Sequence, residues 1–384
     1  MAVIAPELES VTTSRPAFVT HTREELEAIA ARDPTNPVPL YLLALVLRRE
    51  GEPCWRDVAN EAMGRSHGTP QRVYARALMR ITLGDWGGWA DHEKRLQCPD
   101  TIRDLSIFAE ICWKNQLWDG KEDLADKSLV VLPEQGFGDC LQMWRFFPAL
   151  IRSVATPILM IYPRLTPLAR HNFGAQAKVS LWHVKPKAPF DRYVLSMSLP
   201  YIFQGLPAFE PLRGPGRRPK LDRRDLPVRA GLCWAGNAGY CHDAARSIPF
   251  DALAPLLERT EVEWLSLQVG PRATDSDGHP TLRMPNPPLV TFGDTADLIG
   301  ELDYVVTADT SVAHLAGLLG VPTYLMLQLD SHWRWGLDDT TPWYPSMRLV
   351  RQPTFGDWPG AIRSLSTMLD AELHASADYR AVGN

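Results

Sequence analysis

The stretch SLVVLPEQGFGDCLQMWRFFPAL (residues 128–150) decides how this chain reads. Leu129 to Leu132 form an unbroken apolar run closed by Pro133, as in a strand buried on both faces. Gly136 and Gly138 then bracket a phenylalanine, Asp139 follows, and an apolar helical pattern begins. Glycines after a strand let the chain turn sharply and let a ligand approach the backbone. Asp139 falls near the strand's carboxyl end, at the start of the helix. Two readings stand open for it: a helix N-cap, or a general base that takes a proton from an attacking hydroxyl. GFGDCL lacks the third glycine of a dinucleotide fingerprint, and no GK[ST] follows, so neither a nicotinamide-binding turn nor a P-loop is indicated.

The same alternation continues toward the C-terminus. Apolar runs recur at 157–163, 179–184, 192–197, 229–236, 262–270, 303–309 and 322–328, with helical patterns between most of them. That texture predicts parallel sheets covered by helices on both faces. A Pro- and Arg-rich stretch near 211–227 divides the region into two α/β units, the second opening with RAGLCWAG (229–236). Two such units facing each other would form a cleft between the carboxyl ends of their strands, where ligands bind in this class.

Toward the N-terminus the texture is helical. Thr22 and Glu25 form a T-x-x-E capping box, and Leu40, Leu43, Ala44 and Leu47 follow helical spacing. YLLALVLRREG (41–51) matches YARALMRITLG (74–84) at Tyr, Ala, Leu and Gly, each 33 positions apart. That period is read as a short tetratricopeptide-type array, in which stacked helix pairs bury one another's faces; two unrelated amphipathic helices are the other reading. Residues 1–20 are read as a disordered lead-in, 21–120 as the helical domain, 121–225 as the first α/β domain and 226–384 as the second.

Composition narrows the function. A formal net charge of −5 over 384 residues does not suggest a nucleic-acid partner. No apolar run reaches the roughly 18 residues of a membrane span, and MAVIAPELESVTTSRP is not expected to act as a signal peptide. The six cysteines form no CxxC pair, which argues against a zinc site or a disulfide framework and for a reducing cytoplasm. DSDGH (275–279) has a D-x-D without further carboxylates at ligand spacing, so no metal is expected.

Two further segments could carry chemistry. In TADTSVAHLAGLLGVP (307–322) a strand runs into Asp309, Thr310 and Ser311 and then a helix, a ready cradle for a pyrophosphate, with His314 one turn inside. Helix capping and a core histidine are the structural alternative. In CWAGNAGYCHDAARSIP (233–249) a Gly- and Asn-rich loop carries His242 and Arg246, suited to an anionic ligand or equally to a solvated surface loop. The aromatics of HWRWG (332–336) and WYP (343–345) would stack on a base or sugar, or pack a C-terminal helix return.

Taken in order, EQGFGD, CWAGN…RSIP, SLQVGP, FGDTADLIGELDYVVTADTSVAHLAGLLGVP, HWRW, WYPSMRLVRQP and GDW resemble bacterial tetratricopeptide-repeat glycosyltransferases. That group is similar to the lipopolysaccharide heptosyltransferases and, more remotely, to the O-linked N-acetylglucosamine transferases. The resemblance covers about residues 20–370 and implies an α/β GT-B fold, two Rossmann-like domains preceded by a short all-α repeat domain. It implies a metal-independent, inverting glycosyltransferase in which the nucleotide-sugar is a substrate and no cofactor is needed. Asp139 would be the catalytic base. Asp309, Thr310, Ser311, His314, Asn237 and Arg246 would hold the donor diphosphate; Trp234, Gln268 and Asp294 would meet the nucleotide. Glu134, Gln135, Gly136, Gly138 and Gln142 would form the acceptor-side loop. The acceptor would be a protein, a peptide or a glycan, and a homo-oligomer is compatible with the repeats. The loop AGYCHDAA (238–245) is less charged than the family pattern, which motivates the rival reading of a non-catalytic repeat adaptor on a transferase scaffold.

Overall fold

The computed structural model describes residues 22–99, 101, 108, 116–184, 186, 189–216, 228–239 and 243–382, with side chains through 371. The expected lead-in (1–20), His242 and most of the Pro- and Arg-rich stretch lie outside the described residues. The chain forms two compact units. One runs through Phe209 and also takes in Asp330–Asp338; the other comprises Glu210–Leu329 and the chain from Asp339 onward. The boundary expected at 225/226 lies outside the described residues.

The first unit begins with α1 (Arg23–Arg32), α2 (Val38–Arg49), α3 (Trp55–Arg65), α4 (Pro70–Thr82) and α5 (Gly88–His92). Thr22 caps α1 with the reciprocal Glu25 bond, and Thr69 caps α4 ahead of Pro70. The ends of α2 and α4 close alike. Glu52 N–H donates to Leu47 O and Asp85 N–H to Arg80 O, both at 2.9 Å. Gly51 and Gly84 take φ of +76° and +82°, the left-handed turn that stops a helix. Leu26, Leu43, Leu47, Ala62 and Met79 share one buried cluster.

A four-stranded parallel sheet follows: β1 (Ser128–Leu132), β2 (Thr156–Ile161), β3 (Lys178–Leu181) and β4 (Arg192–Leu195), in the order β3-β2-β1-β4. Helices α6 (Phe137–Met143), α7 (Phe147–Arg152), α8 (Thr166–Phe173) and α9 (Leu199–Phe203) connect and cover the strands. The winding runs from β1 outward through β2 to β3 and then returns to β4 on the other side of β1. Strand order therefore reverses between β1 and β4, and ligands of open α/β sheets bind outside the carboxyl ends at that point. Residues 134–136 with the start of α6, and Ser196–Ser198, occupy those two ends.

The second unit is a six-stranded parallel sheet ordered β10-β9-β8-β5-β6-β7. Its strands are β5 (Val228–Cys233), β6 (Val262–Ser266), β7 (Leu282–Arg283), β8 (Tyr304–Ala308), β9 (Thr323–Leu327) and β10 (Met347–Arg351). Every residue of β8 and β9 is buried, as strands covered on both faces must be. Its helices are α10 (Asp243–Arg246), α11 (Ala254–Leu257), α12 (Phe292–Gly300), α13 (Ser311–Leu319) and α14 (Trp358–Val382). The strand order reverses between β5 and β8. α13 rests on Tyr344 where residue 317 is glycine: an added Cβ would lie 2.4 Å from the Tyr344 ring. Among the described residues no helix is long and apolar enough to cross a membrane.

Candidate functional sites

In the first unit the sharp turn after β1 falls on Gln135, at φ +60°, and not on a glycine. Gly136 is the extended N-cap of α6, and Gly138 lies inside that helix. The glycine at 136 serves a close approach instead. Its N–H donates to Asp139 Oδ2 at 2.9 Å, and an added Cβ would lie 3.3 Å from that oxygen. Asp139 is thus the third residue of α6 and caps it. Its other oxygen, Oδ1, is ion-paired with Nη2 of Arg334. Arg334 also donates from Nε to Gln142 Oε1 at 2.8 Å and from Nη2 to Gln135 Oε1 at 3.2 Å. Its guanidinium carbon lies 4.2 Å from the centre of the Trp333 ring. Gln135, Asp139 and Gln142 therefore converge on one cation of the HWRW stretch, a role its local sequence does not signal.

Glu134 is drawn away from this group. It is buried, gripped by Arg95, and accepts the Met197 N–H at 2.9 Å. The loop expected to face an acceptor thus has one acid in the protein interior, joining the helices to the ends of β1 and β4. Burial pushes the Cys140 thiol up, so the cysteine beside Asp139 stays protonated and is no nucleophile. Phe137, Tyr162 and Trp182 form a row along the carboxyl ends of β1, β2 and β3, the first pair edge to face with ring centres 5.6 Å apart and the second tilted at 5.2 Å. The Tyr162 hydroxyl donates to Gln135 O at 2.9 Å.

Of the HWRWG aromatics, Trp333 and Trp335 are buried. Trp333 meets Trp89 edge to face at 5.4 Å and His92 at 6.2 Å, within the first unit.

In the second unit the strands on either side of the reversal bring several expected residues together. Thr310 caps α13 through its side-chain oxygen, which accepts the Val312 N–H at 3.2 Å. The Thr310 hydroxyl also lies 3.3 Å from Thr307 Oγ1 and 3.7 Å from Cys233 Sγ. Asp309 and Ser311 flank Thr310 and are partly exposed. His314 is buried and shares a 2.8 Å hydrogen bond with the Tyr344 hydroxyl. Burial lowers its pKa to about 4; nearby Asp309 opposes and Arg246 adds to the effect. His314 is therefore neutral near pH 7. Arg246 closes the loop after β5: its Nε donates to buried Asp243 at 3.0 Å. An added Cβ at Gly236 would lie 2.2 Å from Arg246 Nη2, so glycine there admits the guanidinium. Asn237 stands in that loop, exposed.

Three residues expected at the nucleotide have structural work. Trp234 is fully buried in the sheet core against Phe250, at 4.9 Å, and its indole N–H reaches Asp275 at 3.2 Å. That contact, with Arg272, also occupies the D-x-D aspartate. Asp294 closes a capping box with Thr291 at the start of α12. Gln268 Oε1 accepts the N–H groups of Trp234 and Ala235 at 3.1 and 2.9 Å, and its Nε2 donates to Ala235 O and Val269 O at 3.0 and 3.2 Å. Its amide thus ties the end of β6 to the loop after β5. Among the described residues no group of three His, Cys, Asp or Glu side chains is arranged to hold a metal ion.

No protein-family model matches the chain. Protein FlbA of Caulobacter vibrioides is 25% identical over 349 residues, covering 80% of this chain and 57% of that protein. The chain thus spans little more than half the length of that curated relative. The E. coli heptosyltransferase WaaC, solved with ADP-2-deoxy-2-fluoro heptose, aligns at a TM-score of 0.46 with 10% identity, over 64% of this chain and 99% of that one. E. coli ADP-heptose lps heptosyltransferase II aligns at 0.44 with 13% identity, over the same shares. A point mutant of the Thermobaculum terrenum O-GlcNAc transferase aligns at 0.24 with 12% identity, over 79% of this chain and 78% of that one.

Proposed function

We propose that the chain is a glycosyltransferase that moves a sugar from a nucleotide-sugar donor to a hydroxyl, with inversion and without a metal. The observation that carries this reading is the convergence at the reversal point of the second sheet. There the loop after β5, with Asn237 and Arg246, and the start of α13, with Asp309, Thr310 and Ser311, end side by side on adjacent parallel strands. The positive dipole end of a helix, a hydroxyl and a guanidinium suit a diphosphate, and they would stabilise it as a leaving group. Val269 and Met284, exposed beyond β6 and β7, offer apolar surface to a base. Asp139 of the first unit would take the proton of the acceptor hydroxyl. The ordered motifs shared with tetratricopeptide-repeat glycosyltransferases support the same reading, and the helices would help hold a protein or glycan acceptor.

One observation favours the rival adaptor reading: Arg246 is already committed to Asp243. Melting in the presence of UDP, GDP, ADP or CMP separates the two. A ligand that binds only the folded state raises the melting temperature, by about 2.7 kcal/mol of stability at 100 times its dissociation constant. A nucleoside diphosphate that stabilises the native chain but not Ser311→Trp supports the transferase. No shift with any nucleotide at millimolar concentration hands the lead to the adaptor.

A further inference from the structure

We infer that Arg334 is the positioning residue of Asp139, holding its carboxylate ionised and aimed. The inference rests on the proposed role of Asp139 as base. Asp139 is fixed from two sides: the Gly136 N–H holds Oδ2 at 2.9 Å, and the Arg334 guanidinium holds Oδ1. Gln142, one turn further along α6 and fully buried, holds the Nε edge of the same guanidinium. Arg334 therefore staples the turn residue Gln135 to both Asp139 and Gln142.

The arginine arrives on a mount that does not depend on Asp139. Asp330 is ion-paired with Arg49 of α2. Trp333 packs on Trp89 and His92, and Trp335 is fully buried. The guanidinium thus has little freedom left to lose when it pairs, unlike an arginine on an open surface. A neighbouring cation keeps a carboxylate charged at lower pH, and two-point fixation sets the direction of the remaining lone pairs. A base must be both deprotonated and aimed when the acceptor arrives.

The other charged and titratable groups nearby are accounted for. On the Arg334 segment, His332 contacts the guanidinium. Glu134 is paired with Arg95, which also binds Glu93. Burial keeps His92 and Tyr74 neutral from the helical side, and Cys140 and Tyr162 neutral from the sheet side. Arg334 is then the cation directly bonded to Asp139.

The test follows Asp139 directly. In protein labelled with carbon-13 at the aspartate carboxyls, its resonance is the one lost in Asp139→Asn. Its titration midpoint is expected to move up in Arg334→Gln and less in Arg334→Lys, which keeps the charge but not the fork. Should Arg334→Gln not fold, the Lys variant decides by the same shift. An unmoved midpoint in the folded variant overturns the inference. With a nucleotide-sugar that the native chain turns over, Arg334→Lys should lower kcat by about 100-fold, leave the donor KM unchanged and move the acid limb of the rate profile upward. Full turnover by Asp139→Asn would remove the base reading, while the carboxyl titration would still decide whether Arg334 governs Asp139.

Discussion

The guanidinium of Arg95 grips both carboxylate oxygens of Glu134, Nε to Oε1 at 3.0 Å and Nη2 to Oε2 at 2.9 Å. The side chains are 1% and 4% exposed. Arg95 follows α5, and Glu134 opens the loop that leads to Asp139, so this pair joins the helices to the candidate base. Breaking a buried pair by removing one partner leaves the other charge without compensation. Arg95→Met is expected to cost about 3–5 kcal/mol, read as a lower urea midpoint. Adding Glu134→Gln should restore part of it. An unchanged midpoint in Arg95→Met would mean the helices and the loop are not joined through this pair.

Gly317→Ala tests the packing behind the second candidate site. The new methyl would meet the Tyr344 ring, which is fully buried and cannot retreat into solvent. Overpacking of this kind costs about 1–3 kcal/mol. Because Tyr344 holds His314, the His314 ring resonances should shift as well. A variant as stable as the native chain, with those resonances unmoved, would contradict the packing.

Acid should destabilise the fold through His314. Its folded pKa, about 4, lies below the 6.5 of the unfolded chain. Below pH 6.5 the unfolded state takes up a proton that the folded state refuses until about pH 4. Stability is thus complete above pH 6.5 and declines toward pH 4, by on the order of 3 kcal/mol. Buried His92 is lowered in the same direction and adds to the slope. Melting temperature against pH should therefore flatten partly in His314→Gln between pH 6.5 and 4. A slope identical to the native one would assign the acid sensitivity elsewhere.

These cases mark what was legible in the sequence. Most strands were, because runs such as SLVVL, YVVTA and TYLML are buried on both faces and so read as continuous apolar stretches; β7, two residues long, and β10, MRLVR with its arginines, gave no such run. Asp139 could be placed at a helix start from its spacing alone. Its partner could not be found that way, because Arg334 lies 195 residues along the chain and ion pairs at that separation leave no periodic trace. Arg95 and Glu134 escaped for the same reason. Trp234 was ambiguous because an aromatic at a strand end fits a nucleotide stack and a sheet core equally well; its packing against Phe250 is a long-range contact with no trace in the local pattern. The turn at Gln135 was masked by two adjacent glycines, the residues that ordinarily supply positive φ.

Gln268 separates a ligand contact from a loop support. Four hydrogen bonds of its amide go to the backbone around residues 234, 235 and 269, and its Oε1 also accepts the Cys233 thiol at 3.5 Å. Gln268→Met keeps the volume and deletes all four. Each buried backbone group left without a partner costs about 1–3 kcal/mol, so the variant should melt well below the native chain. Nucleotide stabilisation should fall with it, because the loop carrying Asn237 loses its register. Melting scans of the free and nucleotide-bound variant check both effects. A variant that keeps native stability but loses the nucleotide shift would instead place the Gln268 amide on the nucleotide, and the loop would have to be held by other contacts.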